Sequence, residues 1–144
     1  MEELKNKFPA AVEAIETQLG ETTVTLKKEG LSQACEFLKQ EKGFDYLSDL
    51  TGLDLGKEAN PRFAVVYHLI NIKTHQRLRL KVRTADAVDS VTPVWKAANW
   101  FEREVFDLLG IVFNNHPDLT RIYMPETFTG YPLRKDYPLR GEGE

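Results

Sequence analysis

The sequence is poor in the residues that hold redox centres and metals: it has one cysteine, Cys35, and three scattered histidines, His68, His75 and His116. A single thiol closes no internal disulfide and ligates no iron–sulfur cluster, and three imidazoles without close spacing are not a metal-ligand set. His68 falls in a predicted strand and reads as a packed or surface imidazole. His116, before Pro117 and Asp118, reads as the brace of a turn or as a contact with a partner. Long apolar runs are missing too. The longest, such as Ala64, Val65, Val66 and Tyr67, fall far short of the roughly 18–20 residues that cross a bilayer, so any membrane association is expected to be peripheral. The first residues, Met1 to Lys5, lack the apolar centre of a secretory signal, which with the lone cysteine points to a reducing, cytoplasmic location. No G-x-G-x-x-G follows a strand and no G-x-x-x-x-G-K-S/T occurs, so neither common nucleotide fingerprint is available. Charge of one sign is barely in excess: the formal net charge of −3 gives no global attraction to polyanions, and nucleic acid is not an expected partner.

What is present suits one folded domain with an appended tail. The 144 residues are 42% hydrophobic and 28% charged, far from the composition of disordered chains. Phe8, Ala11, Val12, Ile15 and Leu19 recur at helical spacing, with Pro9 in the first turn and Gly20 as a stop, and predict an amphipathic first helix. Residues 22–27 alternate, with Val24 and Leu26 on one face, and predict a strand. Leu31, Ala34, Cys35 and Leu38 predict a second helix that stops by Gly43, while residues 44–55 have mixed spacing. Residues 62–70 and 76–83 predict a hairpin. In its second strand Leu78, Leu80 and Val82 oppose Arg77, Arg79, Lys81 and Arg83, which predicts one dry and one wet face. The basic stripe suits an anionic partner or, more economically, an edge or wet face guarded against aggregation.

Thr92 and Pro93 predict a short helix, and Asn99 with Glu102 three residues on predicts a second start. The longer helix, about 100–109, carries Phe101, Val105, Leu108 and Leu109 as an apolar stripe and ends at Gly110. Its other faces hold Glu102, Arg103, Glu104 and Asp107. The three acids could be imagined as a metal cage, but Arg103 is placed to pair with Asp107, and charges opposite an apolar stripe are ordinarily solvated. An arginine between two glutamates can also make bidentate contacts across an interface. Beyond Gly110, four of the seven prolines (Pro117, Pro125, Pro132 and Pro138) are interleaved with Tyr123, Phe128, Tyr131 and Tyr137. That segment forms neither a regular helix nor a central strand, and its aromatics need a surface to cover: its own domain or another subunit. The organisation expected is an α+β domain over 1–115, two-layered, with a mostly antiparallel sheet, helices on one face and an extended C-terminal docking tail over 116–144.

Read together, Glu102, Arg103, Glu104, Asp107, Leu108, Gly110 and Ile111, then Phe113, His116, Pro117, Asp118, Leu119, Arg121, Ile122 and Pro125, then Gly130, Tyr131, Pro132, Leu133, Arg134, Lys135, Asp136, Tyr137 and Pro138, form an ordered set. In this set, E-R-E-x-x-D-L-x-G-I and G-x-P-L-R-K-D are the most specific elements. The set resembles the thirty-kilodalton subunit family of respiratory complex I, the proton-translocating NADH:quinone oxidoreductase. It departs from the family pattern at Leu109 and Thr120, and the chain is expected to lack the longer C-terminal extension or fusion found in some members. The resemblance implies a respiratory-chain subunit of the hydrophilic arm, with no catalytic, cofactor-binding or metal-binding residues of its own. The implied partners are the large quinone-site subunit and other hydrophilic-arm subunits, with FMN and iron–sulfur clusters on other chains. It also implies a peripheral position on the cytoplasmic side of the cell membrane, reached only through the complex. Residues expected to meet a partner are Glu102, Arg103, Glu104, Asp107, His116, Arg121, Tyr131, Arg134, Lys135 and Asp136. The equivalent subunit of a membrane-bound nickel–iron hydrogenase or a ferredoxin-dependent complex fits the same residues, because the electron donor binds elsewhere. Two readings of other classes stand beside it: an acid–base enzyme requires Glu104, Asp107 and His116 in one cleft, and a nucleic-acid binder requires the basic stripe.

Overall fold

The computed structural model describes residues 2–125 and 127–137. Pro138 and the rest of the C-terminal tail lie outside the described residues. Five strands form the sheet: β1 (Val12–Gln18), β2 (Glu21–Leu26), β3 (Tyr46–Asp54), β4 (Phe63–Ile70) and β5 (Arg77–Thr84), in the order β1-β2-β5-β4-β3. Every neighbouring pair is antiparallel except β2 with β5. A separate parallel pair joins β6 (Ala87–Asp89) to β7 (Val112–Asn114). The helices are α1 (Glu2–Lys7), α2 (Leu31–Gln40) and α3 (Ala98–Leu109).

The period-two pattern of β5 holds in three dimensions: Leu78, Leu80 and Val82 are buried, while Arg77, Arg79, Lys81 and Arg83 face the wet side. The register places Leu69, Tyr67 and Val65 opposite these three apolar residues, so adjacent strands share one dry face. Leu31, Ala34, Cys35 and Leu38 of α2 and Ala98, Val105 and Leu109 of α3 complete the core on that face. The helix α3 crosses β3 at Gly52, where an added Cβ would lie 2.6 Å from Leu109 Cδ1 and 2.7 Å from Val105 Cγ1. The missing side chain is what lets helix and strand approach so closely. The result is the expected two-layer α+β architecture with a mostly antiparallel sheet.

Two expectations need correction, and one open alternative is decided. Residues 8–19 are not a helix: α1 ends at Lys7, and β1 occupies the helical-looking stretch. A bulge between Val12 and Ala14 sets Val12 opposite Leu26 and Ile15 opposite Val24, both buried partners. One extra residue thus puts positions three apart on the same face, which imitates helical spacing. Leu19 and Gly20, both with positive φ, make the two-residue connection to β2, the conformation that a tight hairpin requires. Next, the residues from Thr92 form hydrogen-bonded turns rather than a helix, and α3 starts at Ala98 with no side-chain cap, ahead of the Asn99 start. Lastly, of the two settings expected for the basic stripe, an edge or a wet face, it takes the second, on an interior strand. On the wet face Arg79 pairs with Glu21 at 3.0 Å and Arg83 donates to the Pro61 carbonyl.

Candidate functional site

Successive helix residues project about 100° apart. Ala98, Glu102, Val105 and Leu109 therefore fall on one side of α3, toward the core, whereas Trp100, Arg103, Glu104 and Asp107 fall on the opposite side. The second side is not open to water throughout. Residues 120–124 lie across it, and Asp107 beneath them has no accessible surface.

Asp107 is the centre of this arrangement. Its Oδ1 accepts from Arg121 Nε at 2.6 Å, and its Oδ2 accepts the backbone N–H groups of Ile122, Tyr123 and Met124 at 3.1, 2.7 and 3.2 Å. Burial on its own would raise the pKa of the carboxyl, but the Arg121 guanidinium and the three amides outweigh it and hold the pKa below the ordinary value. Arg121 then ties three segments together, donating also to the carbonyls of Asp107, Phe128 and Gly130. The pairing of Arg103 with Asp107 is not formed. Asp107 turns under the tail, and Arg103 donates instead to the carbonyl and hydroxyl of Thr120 at 3.2 and 3.0 Å, with its guanidinium over the Trp100 ring.

Glu102 is also fully buried, on the core side, which corrects the expectation of a solvated charge. It accepts from Ser90 Oγ at 2.6 Å and from the Val91 N–H at 2.8 Å. Desolvation dominates there and pushes its pKa up to about 7, against the lowering effect of those two bonds. His116 is enclosed beside it, with Nε2 4.0 Å from Glu102 Oε1. The Asp118 amide donates to His116 Nδ1 at 2.9 Å, so the imidazole proton sits on Nε2, which donates to the Asn99 carbonyl at 3.1 Å. His116 braces a turn onto the start of α3.

A second cluster binds the end of the tail. Asp54 accepts from Arg62 through both oxygens at 2.8 and 2.7 Å and from the Lys135 N–H at 2.8 Å, and Arg62 reaches on to Asp136 at 2.9 Å. The hydrogen bond from Arg62 holds the Asp54 carboxyl well below the usual carboxylate range, with the Lys135 and Gly56 amides adding to it. Arg134 donates to the Leu109 carbonyl at 2.7 Å, satisfying an acceptor at the helix C-terminus, and lies over the rings of Tyr131 and Phe63. Residues 130–136 thus rest on their own domain, the first of the two surfaces considered for the tail. Sequence reasoning did not identify Asp54, in the stretch of mixed spacing, or Arg62, eight residues on at the start of the predicted hairpin.

Gly110 closes α3 at φ 79°, and a Cβ there would come within 2.7 Å of both Arg134 Nη2 and the Tyr131 ring. Gly110→Ala is expected to cost about 1–2 kcal/mol, through left-handed strain and displacement of the strap. Urea denaturation checks this; a midpoint within error of the unsubstituted chain would contradict the packing described.

The residues proposed for acid–base work are not joined in one cleft: Asp107 is saturated by Arg121 and three amides, His116 is held by two backbone groups, and Glu104 is held through Oε1 alone by Trp100 and Tyr123. Among the described residues no group of three or more His, Cys, Asp or Glu side chains is arranged to hold a metal ion, and no helix is long and apolar enough to cross a membrane.

Fold and site together define a two-layer α+β domain that binds its own proline-rich strap, residues 120–136, over its longest helix through the buried Asp107–Arg121 ion pair. The chain belongs to the family described as respiratory-chain NADH dehydrogenase, 30 Kd subunit, whose sequence profile matches residues 24–143. It is 50% identical to the C subunit of NADH-quinone oxidoreductase from Geobacter metallireducens, over 97% of this chain and 88% of that protein. It is 49% identical to the protein of the same name from Geobacter sulfurreducens, over 96% and 87%. Among solved structures, the trypsin-resistant fragment (1-134) of Nqo5 superposes with a TM-score of 0.70 at 36% identity, covering 82% of this chain and 95% of that one. A chain of the membrane-bound sulfane sulfur reductase, an archaeal respiratory membrane complex, superposes with a TM-score of 0.77 at 23% identity, over 96% and 83%, a likeness of fold.

Proposed function

We propose that this chain is a cofactor-free subunit of the hydrophilic arm of a proton-translocating NADH:quinone oxidoreductase, on the cytoplasmic side of the membrane. In this reading it packs on the large quinone-site subunit and supports electron transfer from NADH to quinone, while FMN and iron–sulfur clusters are held by other chains. NADH is favoured as donor because relatives at 44–50% identity bear the name of the C subunit of NADH-quinone oxidoreductase. One observation carries the docking role. Of the eight exposed large apolar side chains among the described residues, Trp100, Val112, Tyr123 and Leu133 fall within residues 100–133, on α3 and the segments that follow it. Trp100 and Tyr123 are neighbours on Glu104, and exposed apolar side chains on α3 and the segments after it suit a partner more than water.

Co-expression of the tagged chain with the large subunit tests the reading. Stoichiometric co-elution of the two, from a chain that by itself binds no iron or flavin, is the expected result. Near-stoichiometric iron or a flavin absorption band in the purified chain would overturn the cofactor-free assignment, and separate elution would overturn the docking role. Arg103→Ala is expected to cost the isolated fold only about 1 kcal/mol, the loss of its bonds to Thr120, while weakening capture of the large subunit about tenfold. Melting curves and co-purification yields measure the two effects independently.

A further inference from the structure

Most buried charges of the strap are fully used within the domain. Trp100, Glu104 and Tyr123 are different. Trp100 Nε1 and Tyr123 OH both donate to a single oxygen, Glu104 Oε1, at 2.9 and 2.7 Å. Both rings are about half in water, Trp100 at 48% and Tyr123 at 55% exposure. The other oxygen, Oε2, accepts no hydrogen bond from a described residue. No described cation lies within ion-pair distance of Glu104, because the nearby guanidiniums are turned to other partners: Arg103 to Thr120 and Arg121 to Asp107. The phenol hydrogen bond raises the pKa of Tyr123, keeping it a donor to the carboxylate.

Hydrogen bonds between exposed groups replace bonds to water and add little to stability, so this arrangement does little for the domain itself. What it does produce is an oriented carboxylate oxygen between two aromatic rings. A carboxylate held at the edges of two half-exposed rings is complementary to a planar cation, which can donate to its second oxygen and lie against an exposed ring face. Trp, Tyr and Arg are also the residue types that dominate binding energy at protein interfaces.

We propose that Trp100, Glu104 and Tyr123 form a clasp for an arginine side chain of the large subunit. The inference rests on the docking role proposed above and deepens it by assigning the chemistry of one contact. The guanidinium donates to Glu104 Oε2 and lies against the ring of Trp100 or Tyr123. Arg103 already occupies a position over Trp100, with its Cζ 5.7 Å from the ring centroid, so the incoming group takes the remaining exposed ring surface.

The two tryptophans provide a direct readout. Trp95 is buried, with its N–H on the Phe44 carbonyl, whereas Trp100 is on the surface. Full-length chain labelled with 5-fluorotryptophan gives one fluorine resonance for each, and Trp100→Phe assigns them. Adding unlabelled large subunit should shift the Trp100 resonance and remove its sensitivity to the solvent isotope, leaving that of Trp95 unchanged. Glu104→Gln retains an acceptor oxygen for Trp100 and Tyr123 but not the charge. It should weaken binding of the large subunit about tenfold, with a melting temperature close to that of the unsubstituted chain. If the large subunit binds while Glu104→Gln and Trp100→Phe both bind within twofold of the unsubstituted chain, the clasp is wrong and the docking role stands. If the unsubstituted chain does not bind the large subunit at all, both readings fall. A Trp100 resonance that moves with the concentration of this chain alone would make a second copy the occupant, and would likewise overturn the proposal.

Discussion

Asp107→Ala should lower the stability of the isolated domain by about 3–5 kcal/mol, the range for breaking a buried ion pair by removing one partner. The carboxylate accepts four hydrogen bonds, from Arg121 and from three consecutive amides. Its removal leaves those amides and a largely enclosed guanidinium without their acceptor. At this chain length, about 2–4 °C per kcal/mol, the melting temperature should fall by roughly 6–20 °C. Arg121→Ala should cost a similar amount, because it leaves the Asp107 charge buried beneath the strap. The double variant should cost much less than the sum of the two single losses, since both break the same interaction. The pH dependence has a definite sign. A carboxyl with a lowered pKa contributes stability that is fully present above its unfolded value, about 3.9, and is lost as the pH falls through the folded value. Asp54 acts in the same direction. The strap should therefore loosen only in strong acid. A loss under about 3 °C for Asp107→Ala would mean that residues 120–124 do not cover the helix as described.

Glu102→Gln should have the opposite character, stabilising the domain at alkaline pH. Glu102 has no accessible surface and no arginine or lysine partner among the described residues, and its pKa is raised to about 7 by desolvation. The folded state therefore binds its proton more tightly than the unfolded chain does. Stability should decline as the pH rises from about 4.5 to about 7 and then level off, by an amount on the order of 3 kcal/mol. A glutamine keeps an oxygen for the Val91 amide, and its carboxamide can donate to Ser90 Oγ. With no charge left to desolvate, it should remove most of this decline. Urea midpoints of both chains between pH 4.5 and pH 8.5 are the measurement. Parallel curves for the two would show that Glu102 is not the titrating group. Within one helix, then, Asp107 and Glu102 are both buried acids with opposed pH responses. The difference is that Asp107 meets a guanidinium and three amides, whereas Glu102 meets one hydroxyl and one amide.

Much of the architecture is legible in the residue pattern alone. Val24 with Leu26, the α2 stripe from Leu31 to Leu38, the alternation in β5 and the stop at Gly110 all lie where their periodicities place them. Two of the strands that the pattern missed, β1 and β3, share one cause. In β3, as in β1, a bulge brings residues three apart, Leu47 and Leu50, to the same dry face, opposite Leu69 and Tyr67. An irregular strand of that kind leaves a pattern of three in the sequence, and the rule of two does not detect it.

The ordered motif from Glu102 to Asp136 was enough to identify the family, because it depends on residue identity and order and not on conformation. The sequence by itself also determined the dry faces of α2, β2 and β5, since one-sided burial imposes its period directly on the chain. Only the tertiary structure decided which charges are hidden. Whether Asp107 meets water depends on residues 121–124, and whether Asp54 does depends on Arg62 and Lys135, none of which shares its local periodicity. A helical pattern tells which side of a helix faces the sheet, but not that a later segment will return to cover the other side. That second burial is set by hydrogen bonds closed across long sequence separations, and such bonds leave no period to read.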